Sequence, residues 1–199
     1  MPLFRKTIFY NGTKFGLWRI TESPEDLFAL YPYLEKYRAH VQKNYHKDGR
    51  RLEFLCSRIL LFELSGEWQE IKHRDDGAPL VEGYELSISH TRGFAALIIS
   101  KDHPVAVDIE YPSDRVGKIA ARFLRPDESF TDIPRQLIAW CAKEACYKYF
   151  SADHLDYPEM CVHPFSLEDQ CLNVDNLKRR CSLSLDFERN QEFTLVWRG

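Results

Sequence analysis

The chain has 199 residues, 44% of them apolar, and a formal net charge of −3. That length can bury a real core as one domain or as two packed halves, and the near-neutral balance excludes a protein that coats nucleic acid by bulk charge. Nothing at the N-terminus has the pattern of a secretory signal, and no apolar run approaches the roughly 20 residues of a membrane helix, so a soluble cytoplasmic protein is expected.

Short β-like runs over 3–10 and 15–20 flank Asn11-Gly12, a strong hairpin signal. Ser23 and Pro24 then open a helix as N-cap and first helical residue. The stretch from Glu35 to Arg51 carries Lys36, Arg38, Lys43, Lys47, Arg50 and Arg51 against only Glu35 and Asp48. Such a cluster is either a solvated face or a phosphate-binding patch. Residues 51–64 are apolar nearly all round, which predicts a substantially buried helix. On a wheel of about 100° per residue, Arg51 and Arg58 fall together in an apolar sector; they either snorkel to water or point at a bound anion.

Asp75-Asp76-Gly77-Ala78-Pro79 is a turn. Residues 85–89 and 94–100 read as antiparallel strands joined at Arg92-Gly93, and Val105–Glu110 reads as a third strand of the same meander. Alternation sends Val105, Val107 and Ile109 to one face and Ala106, Asp108 and Glu110 to the other. Two carboxylates on one face of a half-buried strand call for a compensating cation, either a basic side chain or a hard metal ion such as Mg²⁺. Asp114 to Leu124 has helical spacing, and a second helix carries Trp140, Glu144 and Lys148 on one face at four-residue intervals. Lys143 points about 100° away from Glu144 on the wheel. Residues 151–199 hold a Pro-containing loop and a closing hairpin of 182–187 with 192–197. The six cysteines form no C-x-x-C pair, so reduced thiols are expected rather than a zinc site.

Each of these segments taken alone has an ordinary structural explanation, but their order is specific. S-x-S-H at Ser87–His90, then D-x-E at Asp108–Glu110, then W-x-x-K-E-x-x-x-K at Trp140–Lys148 resembles the 4′-phosphopantetheinyl transferase superfamily (holo-acyl-carrier-protein synthases) in its larger two-half type, over roughly 45–150. The resemblance implies an α+β fold of two similar halves, 1–110 and 111–199, each a helix packed on a small antiparallel sheet and related by a pseudo-twofold. It implies transfer of the 4′-phosphopantetheine arm of coenzyme A to a serine of an acyl or peptidyl carrier protein, with Mg²⁺. Asp108, Glu110 and Glu144 would hold the metal, Glu144 would also act as base, and Lys148 and His90 would face the phosphates.

Ser89, Arg51, Arg58, Lys36, Lys47 and Gly77 would contribute to the coenzyme site. Ala78 stands where relatives commonly have Lys, so only backbone contacts from Gly77 carry over there. The segment 114–124 corresponds to one that helps dock the carrier. A monomer with one complete site is expected. The alternatives from other classes are a non-catalytic coenzyme A or carrier-binding homologue, and a metal-dependent phosphodiesterase that needs no carrier.

Overall fold

The computed structural model describes residues 3–199. Strands β1 (Leu3–Ile8) and β2 (Lys14–Arg19) form the first hairpin. Gly12 sits in its turn at φ +83°, a conformation that costs a residue without a Cβ little. Helix α1 (Pro24–Leu30) opens as its sequence predicts: the Ser23 hydroxyl accepts from Asp26 N and the Asp26 carboxylate accepts from Ser23 N, a reciprocal cap. A 3-10 turn and α2 (Arg38–Asn44) lead to α3 (Asp48–Ser65), which starts at Asp48 rather than Arg51. Leu55, Ile59, Leu60 and Leu61 of α3 are fully buried. Gly16 admits α3 against β2, since a Cβ there would stand 2.9 Å from Leu60 Cδ2.

The two-residue strands β3 (Lys72–His73) and β4 (Pro79–Leu80) pair around Gly77, whose φ is +83°. Strands β5 (Glu85–Thr91) and β6 (Phe94–Ser100) follow as the expected hairpin. Together they complete a four-stranded sheet in the order β1-β2-β6-β5.

The acidic strand β7 (Ala106–Glu110) does not extend this meander. It lies instead in a second sheet, antiparallel to the last strand of the chain, so the expected three-stranded meander over 85–110 is corrected to a hairpin. The cause lies in β5. Alternation turns Leu86 and Ile88 toward α3 and leaves Ser87, Ser89 and Thr91 on the opposite face. Their hydroxyl oxygens accept the backbone N–H groups of Val107 (3.1 Å), Ile109 (3.2 Å) and Tyr111 (2.9 Å). Side chains thus satisfy the donors on the free edge of β7, which a neighbouring strand would otherwise have to meet. Ser87→Ala leaves the Val107 N–H without that acceptor and is expected to cost about 1–3 kcal/mol in urea unfolding; an unchanged midpoint would show that the hydroxyl link contributes nothing.

Helices α4 (Arg115–Phe123) and α5 (Ile133–Tyr149) come next, α5 capped by Asp132, whose carboxylate accepts from Arg135 N at 3.0 Å. Strand β8 (Met160–Val162) lies in the stretch expected to be a loop. It is followed by β9 (Cys171–Asn176) and by the closing hairpin of β10 (Cys181–Arg189) and β11 (Thr194–Arg198). The second sheet has the order β7-β11-β10-β9-β8.

Three apolar clusters order the layers. One packs α3 on the first sheet through Trp18, Ile59 and Leu97. A second joins the two sheets through Phe15, Leu17, Ile98, Val107, Ile109 and Leu195. The third packs α5 on the far face of the second sheet through Ile138, Ala142, Leu185 and Val196. The result is helix, sheet, sheet, helix, an α+β arrangement of antiparallel sheets. Among the described residues no helix is long and apolar enough to cross a membrane.

Candidate active site

The face of β7 that carries Ala106, Asp108 and Glu110 turns toward α5, as the alternation predicts, and Ala106 is buried in the α5 cluster. The four-residue spacing of α5 brings Trp140, Glu144 and Lys148 to meet it. Lys148 Nζ donates to Asp108 Oδ1 (2.7 Å) and to the Val107 carbonyl (3.0 Å). Each carboxylate also accepts a hydroxyl proton: Asp108 Oδ1 from Ser89 (2.8 Å), Glu110 Oε2 from Thr91 (3.3 Å) and Glu144 Oε1 from Tyr157 (2.8 Å).

The electrostatics are unbalanced, with three acids against one ammonium. Burial pushes the Glu110 carboxyl above its usual range and the Asp108 charge adds to the rise, while Trp140, Thr91 and Lys148 oppose it. Burial likewise raises Glu144, with the Asp108 charge adding and the Tyr157 hydroxyl and Lys148 opposing. Asp108 is only 5% exposed, and its Oδ2 is buried with no hydrogen-bond partner.

An orphaned carboxylate oxygen among three acids fits a hard divalent cation, which takes oxygen ligands and offsets excess negative charge. Among the described residues no three His, Cys, Asp or Glu side chains stand grouped so that they could hold a metal ion as placed, and Lys148 occupies one oxygen of Asp108.

Lys143 serves a different purpose. Fully buried, it donates to Glu128 Oε2 (2.7 Å), the Phe123 carbonyl (2.7 Å) and the Tyr157 carbonyl (3.4 Å). Glu128 in turn accepts from Arg125 N and Val162 N, both at 2.7 Å. The pair ties α5 to the end of α4, to β8 and to the loop before it.

Two cavities open beside these elements. One, of about 690 Å³, is lined by Tyr37, Arg50, Phe54, Arg58 and His90 among others. The Arg58 guanidinium lies 3.2 Å over the Phe54 ring centroid and donates to the Phe54 carbonyl at 2.8 Å. Its Nε and the Tyr37 hydroxyl are buried without partners, and burial lowers the Arg58 pKa to about 10. The second cavity, of about 740 Å³, is lined by Gly77, Tyr84, Val105, Tyr147 and Lys148 among others. Pro79 and Ile88 line both, so the two adjoin.

The residues singled out from the sequence are therefore divided. Asp108, Glu110, Glu144 and Lys148 come together. His90 does not join them: it points to the α3 side of β5, where its Nε2 is 3.5 Å from Glu53 Oε2. Ser89, expected to line a ligand, is buried and engaged with Asp108 and Ile109 N. Arg51 is held by the Tyr45 carbonyl (2.9 Å) and Asp48 (3.0 Å), because α3 already begins at Asp48. Lys36 lies over the Tyr33 and Tyr37 rings, and Lys47 is exposed ahead of α3. Arg58 and Gly77 line cavities, whereas Arg51, Lys36 and Lys47 line neither. Sequence reasoning did not single out Arg50 as a cavity residue, nor Thr91 or Tyr157 as partners of the acids. For Thr91 a signal existed, since it continues the two-residue alternation of Ser87 and Ser89.

A strand-borne acid pair thus faces a carboxylate and a lysine on one helix face. Residues 104–197 match the family model of the 4′-phosphopantetheinyl transferase superfamily. The matched segment contains Asp108, Glu110, Glu144 and Lys148. No curated protein matches the chain.

Proposed function

We propose that the protein transfers the 4′-phosphopantetheine arm of coenzyme A to a serine of an apo acyl or peptidyl carrier protein, releasing adenosine 3′,5′-bisphosphate. The observation that carries this is the buried, unpartnered Asp108 Oδ2 within a set of three carboxylates and one lysine, inside a segment matched to the transferase superfamily. Asp108, Glu110 and Glu144 would hold Mg²⁺, which would supply neutralising charge for the diphosphate.

The chain's own groups do the rest. The serine oxygen attacks the phosphorus that bears the pantetheine arm, and Glu144 takes the serine proton. Burial raises its pKa, which makes it a better proton acceptor than an exposed carboxylate. The bond from that phosphorus to the bridging oxygen breaks, and the electron pair leaves with adenosine 3′,5′-bisphosphate. Lys148, at the wall of the larger cavity, screens the diphosphate as charge develops. His90, Arg58 and Arg50 receive the nucleotide end in the smaller cavity, with Gly77 at the neighbouring turn.

We read the layered helix-sheet-sheet-helix order as two similar halves, and one chain as a monomer with a complete site, working in the cytoplasm. Arg58→Met is expected to weaken coenzyme A binding about tenfold in calorimetric titration, because a hydrogen bond from a charged group contributes about 1.5–3 kcal/mol; unchanged affinity would place the nucleotide elsewhere. The reaction class is tested by chromatographic detection of adenosine 3′,5′-bisphosphate. It should form from coenzyme A only when an apo carrier is present. Release without a carrier would indicate a phosphodiesterase. Coenzyme A binding with no release on several carriers would indicate a non-catalytic homologue.

A further inference from the structure

Each of the three carboxylates in the site receives one hydroxyl donor, and the three donors come from two separate parts of the chain: Ser89 and Thr91 from β5, and Tyr157 from the loop before β8. We propose that Ser89, Thr91 and Tyr157 are positioning residues that fix the orientation of Asp108, Glu110 and Glu144 toward a divalent cation, with Asp108 Oδ2 the oxygen left free for it. This rests on the reaction proposed above.

The donors are themselves held. Ser89 Oγ and Thr91 Oγ1 accept the N–H groups of Ile109 (3.2 Å) and Tyr111 (2.9 Å). A hydroxyl whose lone pair is engaged by a backbone donor has its proton directed away from that donor, and here the next acceptor is a carboxylate. Tyr157 is clamped from three sides. Its ring packs against Trp140 with centroids 5.6 Å apart, its carbonyl accepts from the buried Lys143 (3.4 Å), and the carbonyl of Pro158 accepts from Arg125 Nη1 (2.5 Å). The buried Lys143–Glu128 pair therefore sets where the Tyr157 hydroxyl stands, and through it the Glu144 carboxylate.

A carboxylate with one oxygen engaged loses its freedom to rotate and presents the other. Asp108 shows the outcome: Oδ1 takes both Ser89 and Lys148, and Oδ2 is left buried and bare. Groups that orient metal ligands in this way typically change metal affinity or activity 10–100-fold when removed.

The test measures Mn²⁺ binding by electron paramagnetic resonance, with and without coenzyme A, on the wild type, Tyr157→Phe, Thr91→Val and Thr91→Ser. Circular dichroism serves as the control for folding. Tyr157→Phe removes only the hydroxyl, and about tenfold weaker Mn²⁺ binding is expected. Thr91→Val should weaken binding similarly, while Thr91→Ser, which keeps the donor, should bind as the wild type does. Equal affinity in Tyr157→Phe and the wild type, with both folded, would overturn the proposal. A wild type that binds no Mn²⁺ under either condition is a different result: it would remove the cation from the proposed reaction, and this role with it.

Discussion

Glu144→Gln is expected to lower carrier modification by at least about a hundredfold, the lower end of what a positioned general base contributes, while the protein stays folded. The substitution keeps shape, and the amide oxygen still accepts from Tyr157, so the change isolates the loss of charge and of the proton acceptor. Asp108→Asn should be comparably inactive, because Asp108 is the partner of both Lys148 and Ser89. Stability should move the other way. Burial raises the Glu144 pKa, so the folded state favours the neutral form and stability contributed by this group falls as pH rises through that raised value. At neutral pH, Gln therefore removes a charge that the fold disfavours, and the variant should melt no lower than the wild type. Near-normal initial rates in Glu144→Gln would show that the site has been wrongly assigned.

The second large effect concerns folding. Lys143→Met leaves Glu128 charged and buried without its cation, and breaking such a pair from one side typically costs about 3–5 kcal/mol. Chemical denaturation should show that loss, because Lys143 also serves the Phe123 and Tyr157 carbonyls. Adding Glu128→Gln should recover part of it, since the unpaired charge disappears while one acceptor remains for Arg125 N or Val162 N. A Lys143→Met cost below about 1 kcal/mol would mean that water or rearrangement replaces the pair, contrary to the full burial of both side chains.

The features legible in the sequence were those fixed by local geometry. The two-residue alternation placed Asp108 and Glu110 together on one face of β7, and the four-residue spacing placed Glu144 and Lys148 together on α5; both groupings are present. The partner of β7 was not legible. Its pairing with β11 joins segments far apart in the chain, and nothing within 105–110 distinguishes a neighbour in the first sheet from one in the second. A hint lay in β5: three hydroxyl residues at period two mark a face that can satisfy the donors of another strand's edge.

The same alternation explains His90. Adjacent residues of a strand face opposite ways, so once Ser89 turns to β7, His90 must turn to α3. In the basic stretch, the start of α3 at Asp48 decided which arginines are free, and that boundary lies within the usual uncertainty of helix ends. Tyr157 had no local signal at all. It reaches Glu144 from a segment held by Lys143, by Trp140 and by Arg125.

The central claim is most directly tested by intact-mass spectrometry of an apo acyl carrier protein incubated with this protein, coenzyme A and Mg²⁺, alongside an identical sample containing EDTA. The account predicts that the carrier gains one phosphopantetheine mass with metal present and none in EDTA. No gain across acyl and peptidyl carriers, from a protein that binds coenzyme A, would contradict it.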